Sequence, residues 1–262
     1  MSAHIEERVG ITYTARDRDL LQEKVSSRAR EMGFESFLDY YYFLKYDAGG
    51  ERELNDLVET LVVNETYFFR EWPAIRTLVD SFIVPWCAEG RRPRIWSSAC
   101  ATGEEPLSLA MLLDDLDLLD KVEITATDIS SRVLAKAKSG KFSKRAVRSV
   151  PEPKLLEKYL VSTPSGFEVR QDLISTIKWQ QKNLMEPEQI RQLGSFDAIL
   201  CRNVLIYFSD QVIRSVLDTM SKSLVPDGAL VIGVSESLLR YSGHFSGEER
   251  GGAFVYRKVS NK

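Results

Sequence analysis

Residues 96–106 read WSSACATGEEP and join an apolar segment to a helix-like one. Residues 94–97 form a short run typical of a buried strand, and residues 106–119 are apolar at helical spacing, with proline in the first turn. In doubly wound sheets the loops at the carboxyl ends of the strands bind the ligand. We therefore predict that residues 96–106 form the binding loop of an α/β protein.

Strands and helices alternate along much of the chain that follows. The pattern predicts strands at residues 122–127, 196–201, 229–234 and 253–256, and helices at residues 131–138 and 210–224. Such alternation implies a parallel sheet with helices on both faces. The predicted fold class is α/β, with a Rossmann-like doubly wound sheet.

The first 60 residues contain no convincing strand. Apolar periodicity predicts helices over residues 20–32, 34–46 and 51–63, with Gly33 separating the first two. We expect a small all-helical domain and linker over residues 1–75, followed by the α/β domain over residues 76–262.

Residues 141–182 interrupt the alternation. Residues 151–160 predict a short helix, and residues 167–170 and 177–180 predict two short strands. We interpret this region as an inserted small β-subdomain built on a hairpin.

The composition excludes several classes of site. The 262 residues carry a net charge of −3, which disfavours a dedicated nucleic-acid binder. The two histidines and three separated cysteines offer no metal-ligand spacing and no disulfide framework. Because no signal peptide opens the chain and no 18-residue apolar run occurs, we expect a soluble, cytoplasmic protein without membrane insertion.

The charges of the loop indicate the ligand. A dinucleotide fingerprint needs three glycines, but this loop has one, followed directly by Glu104 and Glu105. These carboxylates would repel a diphosphate and attract a cation, while Asp128 at the end of the next strand could accept the two ribose hydroxyls. A ribose joined to positive charge describes S-adenosyl-L-methionine (SAM). The alternative is structural: the glutamates complement the helix dipole and Asp128 is an N-cap.

Three segments resemble one known family. Residues 63–71 (VNETYFFRE), 96–106 and 196–208 (FDAILCRNVLIYF) are similar to signatures of the chemotaxis protein methyltransferases, the CheR family. The resemblance covers essentially the whole chain in order, through residues 233–237. It implies a class I methyltransferase that transfers a methyl group from SAM to glutamate side chains of methyl-accepting chemoreceptors and releases S-adenosyl-L-homocysteine.

The resemblance also implies the roles of individual residues. Arg70 and Tyr207 would be catalytic, with Tyr207 near the transferred methyl; without the resemblance, Tyr207 would be an ordinary half-buried residue after a strand. The implied cofactor contacts are Asn64, Thr66, Arg70, Glu104, Glu105, Asp128, Asn183, Leu184, Cys201, Arg202 and Asn203.

Two other functions stay open from the sequence. One is a methyltransferase acting on RNA or a small molecule, although the negative net charge disfavours RNA. The other is a non-catalytic SAM-binding module, although binding alone does not require Tyr207.

The implied partner is the helical cytoplasmic domain of a chemoreceptor, which carries much negative charge. Lys24 and Arg28 share a helix face, with Arg16 and Arg18 upstream, and predict a basic docking face. The alternative is a set of solvated charges balanced by neighbouring acids.

Some members of the family dock onto a peptide at the receptor's C-terminus through the β-subdomain. The predicted turn at residues 162–166 has one glycine and a proline, which suits a tight turn, so we expect an enzyme independent of that tether. The alternative is that residues 167–170 still accept a peptide strand.

Overall fold

The computed structural model describes residues 1–14, 17–149, 151–241 and 243–259. Its helices are α1 (Ser2–Val9), α2 (Arg18–Glu31), α3 (Phe37–Tyr46), α4 (Gly50–Leu61), α5 (Trp72–Leu78), α6 (Val84–Ala88), α7 (Glu104–Asp115), α8 (Ser131–Ser139), α9 (Pro153–Tyr159), α10 (Gln171–Ser175), α11 (Pro187–Arg191) and α12 (Asp210–Ser223). Its strands are β1 (Arg94–Ser98), β2 (Glu123–Asp128), β3 (Lys141–Ser143), β4 (Leu160–Thr163), β5 (Gly166–Val169), β6 (Ile177–Gln181), β7 (Phe196–Cys201), β8 (Leu224–Ile232), β9 (Phe245–Arg250) and β10 (Ala253–Lys258).

The chain divides into two compact units. The smaller comprises Met1–Val63 with Tyr207–Val212, and the larger comprises Asn64–Ile206 with Ile213–Lys262. Among the described residues, no helix has the length and apolar character needed to cross a bilayer.

The smaller unit is built on the helices α1–α4. Apolar residues of α4 recur at three- and four-residue spacing, and Leu54, Leu57 and Leu61 are buried. Beside them lies a buried carboxylate, Glu53, which accepts hydrogen bonds from Arg28 Nε and Nη2, both at 2.7 Å, and from the Tyr40 hydroxyl at 2.7 Å. A buried charge is tolerated only when it is paired and hydrogen-bonded, and this network meets that requirement.

The cations that define the basic face predicted on α2 have partners inside the smaller unit, and docking through this face stays a prediction. The Arg28 guanidinium is bound to Glu53, and Lys24 Nζ donates to the Thr60 carbonyl at 3.0 Å, so both cations have partners inside the smaller unit. Arg18 begins α2, and Arg16 lies outside the described residues.

The larger unit contains a seven-stranded sheet with the order β6-β2-β1-β7-β8-β10-β9. The strands β6, β2, β1, β7 and β8 are parallel to one another, and the β10 strand pairs antiparallel with both β8 and β9. Ile95, Trp96 and Ile199 are fully buried, as expected for strands covered on both faces. The doubly wound fold predicted from the sequence is confirmed, and its switch point lies between β1 and β7, where such sheets bind ligands.

A separate three-stranded antiparallel sheet has the order β3-β5-β4. Thr163 pairs with Gly166, so β4 and β5 are joined by a two-residue turn at Pro164 and Ser165. The interpretation of residues 167–170 and 177–180 as one hairpin is wrong: β6 pairs in parallel with β2 at the edge of the large sheet. The helix α10 lies between the two strands and carries the chain from one sheet to the other.

Gly103 provides a test of how tightly the loop between β1 and α7 is packed. Its φ is +91°, and a Cβ at this position would lie 2.8 Å from both Ala137 Cβ and Trp179 Cη2. We expect Gly103→Ala to lower the free energy of unfolding by about 2–5 kcal/mol, because left-handed backbone strain and steric overlap add together. Urea denaturation measures this change.

The matched control is Gly90→Ala. Gly90 has φ +79°, but its Cβ would meet no atom within 4 Å, so only the backbone cost of about 1–2 kcal/mol should remain. Equal losses at the two positions would contradict the tight packing of Gly103.

Candidate active site

Asp128 ends β2 and links two loops at the carboxyl edge of the sheet. Its Oδ2 accepts the amide of Ala101 at 2.8 Å, and its Oδ1 accepts the amide of Ser130 at 2.9 Å. The N-cap of α8 is Ser130, whose hydroxyl oxygen accepts the Val133 amide, so the alternative that Asp128 is the N-cap is wrong.

Glu104 is a buried carboxylate at the first position of α7. The residue is only 3% exposed, and its Oε2 accepts a hydrogen bond from the Thr102 hydroxyl at 2.7 Å. Burial raises the pKa of Glu104, because removal of water disfavours the charged form. A cation placed beside this carboxylate would reverse that penalty.

Glu105 has a different environment from its neighbour. Its Oε1 accepts the Ser97 hydroxyl at 2.7 Å, and its Oε2 accepts Arg202 Nη1 at 2.8 Å. Both carboxylate oxygens are therefore engaged by side chains at the ends of β1 and β7. The sequence gives no reason to distinguish Glu104 from Glu105, but in the structure their carboxylates have different partners.

A cavity of about 570 Å³ brings together three residues singled out by the sequence, Asn64, Thr66 and Glu104. The other lining residues are Glu65, Thr102, Arg132, Val133, Lys136, Ser143, Arg145, Ala146 and Arg148. The remaining predicted site residues, Asp128 among them, do not line this cavity. Sequence reasoning missed its four cationic residues, which lie in a region assigned to α8 and the inserted subdomain.

Arg202 follows β7 and is the centre of a buried ionic network. Its Nη2 donates to Glu71 Oε2 at 3.0 Å and to the Arg70 carbonyl at 2.6 Å, while Nη1 binds Glu105. Glu71 Oε1 also accepts Asn203 Nδ2 at 3.0 Å. Burial raises the pKa of Glu71, but the Asn203 hydrogen bond and the Arg202 charge outweigh it, so the net shift is downward. Glu71 therefore stays ionised at neutral pH.

Glu236 organises the backbone that follows β7. Its Oε2 accepts the amides of Asn203 and Gly233 at 2.9 and 2.6 Å, and its Oε1 accepts those of Val204 and Leu205 at 2.9 and 2.8 Å. The amide of the next residue, 206, donates to the same Oε1 at 3.3 Å. One carboxylate thus holds the chain up to the residue before Tyr207. Glu71 and Glu236 were not predicted, although residues 233–237 were part of the resemblance.

Arg70 lies beside the start of the same network. Its Nη1 donates to the Glu65 carbonyl at 2.6 Å, and its Nε lies 4.0 Å from Glu71 Oε1. Its guanidinium also lies 5.8 Å from the centre of the Tyr67 ring. These contacts hold Arg70 next to residues that line the cavity.

The other predicted residues occupy strand ends and turns. Asn183 is buried and its side-chain oxygen accepts the Met185 amide at 2.9 Å, while the adjacent Leu184 is half-buried. Cys201 is fully buried at the end of β7, and burial raises the pKa of its thiol. Tyr207 is half-buried at the end of a 3₁₀ turn; it belongs to the smaller unit, where its carbonyl accepts the Thr12 amide at 2.8 Å.

Comparison with known proteins identifies relatives over nearly the full length. The chain is 34% identical to chemotaxis protein methyltransferase 2 of Vibrio cholerae over 91% of this chain and 84% of that one. It is 30% identical to chemotaxis protein methyltransferase 1 of Pseudomonas aeruginosa over 97% and 94% of the two chains. A probable biofilm formation methyltransferase, WspC of Pseudomonas aeruginosa, is 29% identical over 90% of this chain and 56% of its own.

Among solved structures, the N-methyltransferase NodS of Bradyrhizobium japonicum, in complex with S-adenosyl-L-homocysteine, is 15% identical. The match covers 90% of this chain and 99% of that one, at a TM-score of 0.42.

Two family models account for the chain. Residues 1–62 match the all-alpha domain of the CheR methyltransferases, and residues 64–250 match their SAM-binding domain. The protein therefore belongs to the CheR methyltransferase family, and its cofactor is S-adenosyl-L-methionine.

Proposed function

We propose that this protein transfers the methyl group of SAM to glutamate side chains of methyl-accepting chemoreceptors, forming glutamate methyl esters. The observation that carries the proposal is a buried carboxylate, Glu104, set in a cavity with Asn64 and Thr66 at the carboxyl edge of the sheet. Relatives named as chemotaxis protein methyltransferases support the acceptor class.

The residues present suit a cationic cofactor. The raised pKa of Glu104 means that the free protein bears the cost of a buried, incompletely compensated charge, which a bound cation would offset. Glu104 would hold the positively charged end of SAM, and Asp128, at the end of β2, would accept the ribose hydroxyls. Glu105 would act indirectly by fixing Arg202, which its carboxylate binds.

The reaction needs little acid–base help from the protein. The acceptor glutamate has an ordinary pKa of about 4.3 and is ionised at neutral pH. Its carboxylate oxygen forms a bond to the methyl carbon as the carbon–sulfur bond breaks. The sulfonium of bound SAM supplies the electrophile. What remains for the protein is alignment, which brings the reactants together at high effective concentration. We assign Arg70 and the Tyr207 hydroxyl as the donors that hold the acceptor carboxylate.

Glu104 and Glu105 allow a matched test of the cofactor assignment. Glu104→Gln should weaken SAM binding by about 10- to 150-fold, because one charge-assisted contact is worth about 1.5–3 kcal/mol. In the parent, SAM affinity should fall as the pH drops through the raised pKa of Glu104, beginning above the ordinary glutamate value of about 4.3. The Gln variant should lack this dependence. Calorimetric titration at several pH values measures both effects.

Glu105→Gln is the control because both of its oxygens are engaged within the protein. It should lower thermal stability more than SAM affinity. A larger loss of affinity at Glu105 than at Glu104 would overturn the assignment.

Tyr207→Phe tests the catalytic assignment. The substitution removes one hydroxyl and keeps the ring, so folding and SAM affinity should be unchanged. Loss of one hydrogen bond to the acceptor in the transition state should lower kcat by about tenfold. Initial rates of tritium transfer from labelled SAM to chemoreceptor-containing membranes measure kcat. Tyr42→Phe, at a half-exposed tyrosine of α3, is the matched control and should retain the parent rate. An unchanged kcat in Tyr207→Phe would remove Tyr207 from the catalytic set.

We also propose that methylation does not depend on a tether at the receptor's C-terminus. The β5 strand is flanked by β3 and β4 on its two sides, so residues 167–169 have no open edge to accept a peptide strand. The two-residue turn with Pro164 shortens the hairpin that would present such an edge.

A receptor that lacks its C-terminal tail should therefore be methylated within about twofold of the rate of the intact receptor, since no tether raises the local concentration. Methylation rates on membranes that carry the two receptor forms measure this. Loss of methylation on tail removal, with a receptor C-terminal peptide binding at low micromolar affinity, would contradict the proposal.

A further inference from the structure

Four cationic side chains line the exposed side of the cavity that contains Glu104. Arg132 and Lys136 lie one turn apart on α8, and Arg145 and Arg148 lie on and just after a 3₁₀ turn that follows β3. All four are exposed. We call these four residues the basic rim.

The basic rim carries an excess of positive charge over the acids of the same cavity. Glu65 is neutralised by Arg148, whose Nη2 lies 2.7 Å from Glu65 Oε1, and the only other lining carboxylate is the buried Glu104. Within the described part of the chain, Lys136 Nζ and the Arg145 guanidinium have no hydrogen bond or ion pair. This local excess stands on a chain whose net charge is −3.

Arg148 is held in place before any partner arrives. In addition to the Glu65 pair, its guanidinium lies 4.1 Å from the centre of the Tyr67 ring, which favours a cation over the aromatic face. By contrast, Arg28 and Lys24 of α2 are bound to acceptors within the smaller unit. In the basic rim, Lys136 and Arg145 form no such hydrogen bond within the described residues, although the charge of Lys136 acts on Glu104.

We propose that the basic rim is the docking surface for an acidic segment of the protein substrate, whose carboxylates flank the acceptor glutamate. The inference rests on the proposed function and adds the surface that recognises the acceptor's neighbours. Charge complementarity supports this occupant, because a locally positive surface on a negatively charged protein orients an acidic partner and speeds its association. The rim borders the cavity assigned to SAM, so docking there places the acceptor beside the methyl donor.

The test is the double variant Lys136→Glu with Arg145→Glu. Its kcat/KM for chemoreceptor-containing membranes should fall about tenfold at low salt, and the deficit should shrink at about 0.5 M salt, because screening removes long-range attraction. Its affinity for SAM should be equal to or higher than that of the parent, since the new charges are negative and the cofactor is cationic. Weaker SAM binding would indicate damage to the cavity, and the kinetic loss would then count against the proposal.

The matched control reverses two cations at the opposite edge of the sheet, Arg92→Glu with Lys121→Glu. Both residues are exposed and precede the amino ends of β1 and β2. The total change in charge is the same, so a general effect of net charge would appear in both variants. Equal losses in the two double variants would overturn the proposal.

A direct binding assay separates this inference from the proposed function. The probe is a fluorescent 20-residue helical peptide of glutamate and alanine, with a second peptide in which glutamine replaces glutamate. If the parent fails to methylate receptors yet binds the acidic peptide through Lys136 and Arg145, the proposed function fails and the surface stands. If methylation is normal but the double variant keeps the parent KM and peptide affinity, the surface fails. Tighter, rim-dependent binding of a labelled oligonucleotide would also overturn the proposal.

Discussion

The buried guanidinium of Arg202 is the interaction on which the site depends. It binds Glu71 before α5, Glu105 in α7 and the carbonyl of Arg70, and so joins three segments far apart in sequence. Two carboxylates share one cation, and the excess negative charge is stabilised by donors from Ser97, Asn203 and the backbone amide of residue 234. Removal of the cation would leave both carboxylates buried and uncompensated, a change that typically costs about 3–5 kcal/mol.

Strained backbone also occurs at this network and beside it. Phe69, Glu71 and Asn203 all have positive φ values, between 50° and 60°, although none is glycine. Such conformations cost about 1–3 kcal/mol each and persist only where the surroundings fix them. Glu71 and Asn203 are fixed by the hydrogen bond between their side chains, and Asn203 is also held through its backbone amide by Glu236. The carboxylates therefore set the path of the chain that leads to Tyr207.

Local patterns in the sequence predicted features that are local in space. The β1 strand follows from periodicity, and the structure places the two predicted binding residues, Glu104 and Asp128, beyond the end of β1 and at the end of β2; their roles stay predictions. The pair of Arg202 with Glu105 was not predicted because 97 residues separate its partners, and no short-range signal marks which acid a buried arginine selects. The error in β6 has the same origin: two short strands close in sequence resemble a hairpin, but only long-range pairing assigns β6 to β2.

The cavity combines a negative charge, which suits a cationic cofactor, with positive charges, which suit an anionic acceptor. A cationic cofactor is best held by a desolvated acid, and an anionic acceptor is best attracted by exposed bases. Glu104 and the basic rim supply both within one cavity, with the acid buried and the bases exposed. This arrangement matters because an exposed acid would repel the acceptor on its approach, whereas a buried acid acts at short range in a low dielectric. With the proposed roles, burial of Glu104 would strengthen its attraction for a cation and, with the bases around it, would limit its repulsion of the substrate.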